Sequence, residues 1–214
     1  MMKKNHIVIK ADIFPLIFIL LIPALVFSCG RKESPDKRVA SKALNTYSSE
    51  SVFDEVKKKL EKNPEDVDAL YHLADLYDRN SQYAEAINTY KKVVKLKPEM
   101  GYAYLKMATA YDRINQPAEA IPMFKKAIKY MPDNPVAYNN LGVAYGKLNK
   151  FNEEIDALKR AVRLRPSYAS ARYNLGITYL KVGNKKGAMR EYESLKQFDE
   201  GTAEALMKEI KGAS

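Results

Sequence analysis

The sequence predicts an all-α solenoid built from antiparallel helix pairs, and three observations predict it. Tyr77, Tyr111, Tyr145 and Tyr179 recur at intervals of 34 residues, and a fixed period of that size marks one supersecondary unit copied in tandem. The rows around them keep the same register: Leu73, Met107, Leu141 and Leu175 lie four residues earlier, followed by Ala74, Ala108, Gly142 and Gly176. Pro98, Pro132 and Pro166 close the first three copies, since proline lacks an N–H and disfavours helix at the residue before it. The copies therefore occupy 67–100, 101–134, 135–168 and 169–202.

Within a copy, the first helix shows apolar residues at helical spacing, as in Leu70, Leu73, Ala74 and Tyr77. A short turn follows (Asn80-Ser81-Gln82, Asn115-Gln116-Pro117, Leu148-Asn149-Lys150, Gly183-Asn184-Lys185), then a second helix such as the one carrying Ala86, Ile87, Tyr90, Val93 and Val94. Small residues on the paired helices let the backbones approach, and the large ones fill the space towards the next copy. Each large apolar side chain contributes roughly 1.5–3 kcal/mol on burial, so one hairpin alone has too few to fold. The tyrosines of the period are expected in the core.

The stretches 137–145 (Ala-Tyr-Asn-Asn-Leu-Gly-Val-Ala-Tyr) and 171–179 (Ala-Arg-Tyr-Asn-Leu-Gly-Ile-Thr-Tyr) closely resemble the first-helix signature of the tetratricopeptide repeat family, with its tryptophan replaced. The resemblance covers all four copies. It implies a right-handed superhelical solenoid whose first helices line a concave face. It also implies a protein that binds other chains rather than an enzyme.

Three departures from the pattern carry expectations. Glu154 stands where Ala86, Ala120 and Ala188 are small; Gly142 is expected to leave room for its stem, with the carboxylate turned outward. Pro122 lies early in its helix and is expected to remove one hydrogen bond and bend it slightly. Thr202 is expected to cap a last helix over 203–214, whose Leu206, Met207 and Ile210 close the solenoid end. At the other end, 50–66 reads as a half-repeat helix with Val52, Phe53, Val56 and Leu60 inward.

The first residues set an expected compartment. Lys3, Lys4 and Lys10 precede an apolar stretch from Ile13 to Phe27, 15 residues long and short of the roughly 20 that a spanning helix needs. With Ser28-Cys29-Gly30 it resembles a bacterial lipoprotein signal: 1–28 is the signal peptide and Cys29 the lipidated residue. Cys29 is the only cysteine, so no internal disulfide exists for it. Acylation on sulfur and on the new N-terminus occupies the thiol and supplies a firm anchor. Gly30 in place of aspartate implies, by the same resemblance, the periplasmic face of the outer membrane. Residues 29–49, rich in charge and small polar groups, read as a flexible tether.

The chain carries +10, but its basic residues are spread over every copy and mixed with acids. No zinc-finger spacing, phosphate loop or RNA-binding signature accompanies them, so nucleic acid is not an expected partner. Catalysis is not expected either: beyond the signal, His72 is the lone histidine and no cysteine nucleophile remains. No metal or cofactor is expected.

The resemblance places the groove residues two before, one before and two after the Leu73-type position. They are Tyr71, His72 and Asp75; Leu105, Lys106 and Thr109; Asn139, Asn140 and Val143; and Tyr173, Asn174 and Ile177. Asn140 and Asn174 should stack as two rungs, each amide offering a donor and an acceptor to an extended backbone; this resembles the asparagine ladder of O-linked N-acetylglucosamine transferases. The two-carboxylate clamp of chaperone-binding relatives matches neither register of the copies. The function expected is a lipid-anchored adaptor holding a peptide segment of a cell-envelope partner, similar in architecture to pilotin, assembly or protease-adaptor lipoproteins. The alternatives are a self-associating scaffold and an accessory subunit of an envelope enzyme.

Overall fold

The structure is a computed structural model that describes residues 51–213. The expected signal peptide, Cys29 and the expected tether lie outside the described residues. Among these residues the fold is all helical. Residues 51–62 form α1. Four hairpins follow: α2 (Val67–Arg79) with α3 (Tyr83–Leu96), α4 (Gly101–Arg113) with α5 (Pro117–Tyr130), α6 (Pro135–Lys147) with α7 (Phe151–Leu164), and α8 (Ala169–Lys181) with α9 (Lys185–Leu195). α10 (Glu200–Gly212) closes the array against α8 and α9. No helix among the described residues is long and apolar enough to cross a membrane.

Local chemistry explains the boundaries. Asp66, Asn134, Asn184 and Asp199 each accept a hydrogen bond from a backbone N–H of the first turn they precede. The cap of α10 is thus Asp199, whose carboxylate takes the N–H of Thr202 at 2.9 Å, rather than Thr202 itself. The helix consequently starts at Glu200 instead of Ala203. α5 runs unbroken through Pro122. In α1, Val56 is buried against Ala69 and Leu73, with Phe53 and Leu60 beside it. Val52 is 43% exposed and does not face inward as expected.

Every turn inside a hairpin puts one residue in the left-handed region, at 34-residue spacing: Ser81 (φ 61°), Asn115 (57°), Asn149 (56°) and Gly183 (74°). Glycine adopts this conformation freely and asparagine tolerates it, whereas serine does so at a cost. Replacing Ser81 with asparagine, the residue used in the next two copies, is expected to raise the unfolding free energy by about 0.5–1 kcal/mol. The exposed Tyr83–Ser81 hydroxyl contact it removes, 3.2 Å long, offsets little of this. Denaturant titration checks the outcome; an unchanged midpoint would show that the turn holds no strain.

The alanines of the repeat are fully inaccessible, among them Ala74, Ala86, Ala108, Ala120, Ala127, Ala144 and Ala161, so the paired helices approach to backbone distance. Tyr90, Phe124 and Leu158, again 34 apart, are fully buried large side chains of the second helices, as is Leu195 on α9. The four tyrosines of the period are less central than expected. Tyr179 is buried, but Tyr77, Tyr111 and Tyr145 are half-buried at the rim of the core. Lys91 and Lys125 lie over the rings of Tyr111 and Tyr145 at 5.9 and 5.8 Å. Two apolar clusters make up the main core. One runs from Leu70 to Ala157, and the other from Leu158 through Leu175, Leu195 and Leu206 to Ile210. The division falls inside α7.

Each first helix touches the first helix of the next copy (α2 with α4, α4 with α6, α6 with α8), while no such contact joins successive second helices. The array is therefore tighter on the side of the first helices, and that side is the inner face of the curve.

Candidate functional site

The inner face presents the twelve groove residues expected from the sequence in three different ways. At the N-terminal end, several are already satisfied. The Lys106 ammonium lies 2.9 Å from the Asp75 carboxylate, and Arg79 lies 2.7 Å from the other oxygen. Burial works against the charge on Asp75. The Lys106 hydrogen bond and the charges of Lys106 and Arg79 outweigh it, so the carboxyl sits below its ordinary value. Tyr71 packs edge-on against Tyr90 with ring centroids 5.7 Å apart. The Thr109 hydroxyl donates to its own helix at the Leu105 carbonyl. His72 is exposed and lines a separate cleft with α1 residues Val52, Glu55, Val56 and Lys59.

Two of the expected residues face inward. Leu105 is 8% exposed and Asn139 7%, because the row two before the leucine position is where neighbouring first helices press together. For Leu105 this means core packing. For Asn139 it creates a polar device that sequence spacing did not reveal. Asn174 donates to the Asn139 side-chain oxygen at 3.1 Å, and Asn139 donates to the Asn140 oxygen at 3.0 Å. The two expected rungs are thus joined through a buried third amide. The chain of bonds has a direction. It consumes the Asn140 oxygen and one Asn174 donor, and leaves the Asn140 amino group and the Asn174 oxygen without a partner among the described residues.

The C-terminal half of the face is the open half. Val143, Tyr173, Asn174 and Ile177 line a cleft of about 410 Å³ with Gly146, Lys147, Glu154, Lys181 and Glu209. A second cleft of similar size shares Tyr173 and Asn174 with it and continues along Ser170, Gly201, Thr202 and Ala205. α10 therefore does more than seal the end of the core: it forms one wall of the groove. Tyr102 and Val136, also outside the expected set, border a larger cleft of about 620 Å³ with Leu105, Pro135 and Arg165.

Glu154 behaves otherwise than expected. Its carboxylate is buried, not turned outward. The space comes from Gly146, where an added Cβ would fall 2.6 Å from the carboxylate atoms. Gly142 instead makes way for Leu158 and the Glu154 backbone. The position of Gly146 is held by Asp78 and Asp112 in the first two copies. Asp112 pairs with Lys147, 35 residues on, at 2.7 Å. In the third copy the aspartate is missing, and Glu154 brings a carboxylate to its place from the second helix, with Lys181, 35 residues on from Gly146, acting on it electrostatically. Burial raises the carboxyl's pKa against the pull of Thr178 and Lys181.

Among the described residues no group of three or more histidine, cysteine or acidic side chains is placed to hold a metal ion. What the fold and this face define is a helical-repeat solenoid with a solvent-open, polar-floored groove. Models of the Tetratricopeptide repeat family match residues 67–100, 105–169 and 144–202. The chain belongs to that family. Solved structures similar in fold include MamA from Desulfovibrio magneticus RS-1 (22% identity, 76% of this chain and 92% of that one, TM-score 0.68). YrrB, described as a TPR protein with an unusual peptide-binding site, is 22% identical over 79% of this chain and 88% of its own (TM-score 0.67). PilW, described as a widely conserved type IV pilus biogenesis factor, is 20% identical over 82% and 83% (TM-score 0.66). No curated protein matches the chain in sequence.

Proposed function

We propose that the protein is a non-catalytic adaptor of the bacterial cell envelope, anchored through lipid on Cys29, that holds an extended peptide segment of an envelope partner in its groove. The observation that carries the reading is the asparagine chain. An extended peptide offers alternating C=O and N–H groups, and the free amino group of Asn140 and free oxygen of Asn174 meet one of each whatever the peptide's sequence. Tyr173 and Ile177 stand beside them for apolar side chains. The fold likeness to YrrB, a TPR protein with an unusual peptide-binding site, and to PilW, a type IV pilus biogenesis factor, supports this kind of work. The basic start, short apolar stretch and single cysteine support the anchor.

In a pull-down from the envelope fraction, the Asn140→Ala, Asn174→Ala, Tyr173→Ala triple variant is expected to lose the partner that the wild type retains. Retention of every partner sinks the groove reading. Cys29→Ser is expected to abolish labelling by radioactive palmitate and to release the chain from the membrane pellet; a labelled Cys29→Ser chain sinks the anchor.

A further inference from the structure

The cleft beneath Asn174 contains an unanswered carboxylate. Glu154 is 5% exposed, lines the cleft, and its Oε2 has no hydrogen-bond partner. A buried acceptor left unpaired costs free energy, which a ligand's donor recovers once the carboxylate turns to bring that covered oxygen to the cleft. The neighbouring groups from every wall do not satisfy it. Lys147, on α6, is committed to Asp112, with its ammonium 2.7 Å from the carboxylate and 3.2 Å from the backbone carbonyl. Lys181, on α8, stands over the Phe151 ring at 5.7 Å and forms no ion pair among the described residues. The Thr178 hydroxyl, also on α8, donates to the Asn174 carbonyl. From α10, Glu209 adds a second carboxylate to the lining, also without an ion pair among the described residues. The cleft thus collects two acids that form no ion pair among the described residues, and Asn174, the amide that would hold a peptide's backbone, lines it too.

We propose that this cleft takes a basic side chain of the bound peptide, an arginine by preference, with its guanidinium meeting Glu154 from one side and Glu209 from the other. The proposal rests on the reading of the groove as a peptide site and adds the specificity that the asparagines, which read only backbone, do not supply. Arginine suits the place because its planar fork presents five donors and spans two acceptors, whereas lysine offers a single point charge. Gly146 is part of the device: any side chain there would push Glu154 out of its seat.

The probe is a library of random eight-residue peptides displayed on phage, selected against the full-length chain in mild detergent. The wild type is expected to enrich peptides with arginine at one fixed position. A selected peptide with that arginine replaced by citrulline, isosteric but uncharged, is expected to bind the wild type about tenfold more weakly. Glu154→Gln, close to isosteric, is expected to bind both peptides with similar affinity, and Glu209→Gln to show an intermediate difference; circular dichroism confirms that both variants are folded. Enriched peptides with no basic preference, or an equal citrulline effect in wild type and Glu154→Gln, overturn the arginine subsite and leave the peptide groove standing, provided the asparagine variants lose the same peptides. Capture of no peptide at all overturns both.

Discussion

Replacing Phe124 with alanine is expected to lower the unfolding free energy by about 3–5 kcal/mol, the usual range for removing a fully buried aromatic from a core. Phe124 is 1% exposed and sits on α5 in the middle of the first cluster. Its loss opens a cavity in the first cluster, whose small members, among them Ala108, Ala120 and Ala127, are too short to fill it. A domain of this kind is stable by about 5–15 kcal/mol in total, so the change removes a large share. The form of the loss is also expected to be informative. Copies in a solenoid contact only their neighbours, and stability is close to a sum over copies and interfaces. The second cluster, from Leu158 to Ile210, does not contain Phe124. Denaturant unfolding followed by circular dichroism should therefore split into two transitions, the earlier one belonging to the N-terminal copies. A single transition at the wild-type midpoint would show that the second helices contribute far less than their burial implies.

The second expectation concerns Glu154 and pH. Its carboxyl is held above the ordinary glutamate value in the folded protein, chiefly by burial. The folded state then binds more protons than the unfolded one in the window between the unfolded and folded values, and stability falls as pH rises through that window. Below it the carboxyl is neutral in both states and contributes no such loss. Glu154→Gln removes the ionisation. The Thr178 oxygen, which donates to the Asn174 carbonyl, keeps a lone pair for the new amide. The variant is expected to match the wild type in acid, below the glutamate range, and to exceed it by about 1–2 kcal/mol at pH 8. Thermal melts across pH 3–8 measure the difference. Parallel curves would mean that the carboxylate is satisfied when charged.

The repeat architecture was open to reading because its causes are local and copied. Tyr77 and its successors, the prolines and the small-residue rows report helix ends and contacts within a few turns, and four copies in register average out the exceptions. The groove was legible only in part, for reasons visible in single residues. Asn140 and Asn174 carried the right spacing, but Asn139 joins them only because adjacent first helices approach closely enough to bury it. Asp75 and Lys106 had the right exposure pattern for ligand contact, yet they neutralise each other across 31 positions. Glu154 announced itself as an exception, while its partner Gly146 did not: the compensating gap lies two turns back on the other helix, at a position the alanine rows never mark. The wall formed by α10 was hidden as well, since Ala205 and Glu209 lie beyond the last copy and have no repeat position.

The division of the core inside α7 falls where the asparagine chain crosses from one copy to the next. Asn139 and Asn140 ride on α6, which packs in the first cluster, and Asn174 rides on α8, in the second. The 3.1 Å bond between Asn174 and Asn139 therefore joins the two apolar clusters that meet within α7. The Asn140 amino group and the Asn174 oxygen thus sit on opposite sides of that division, and a single amide–amide bond fixes the register between them.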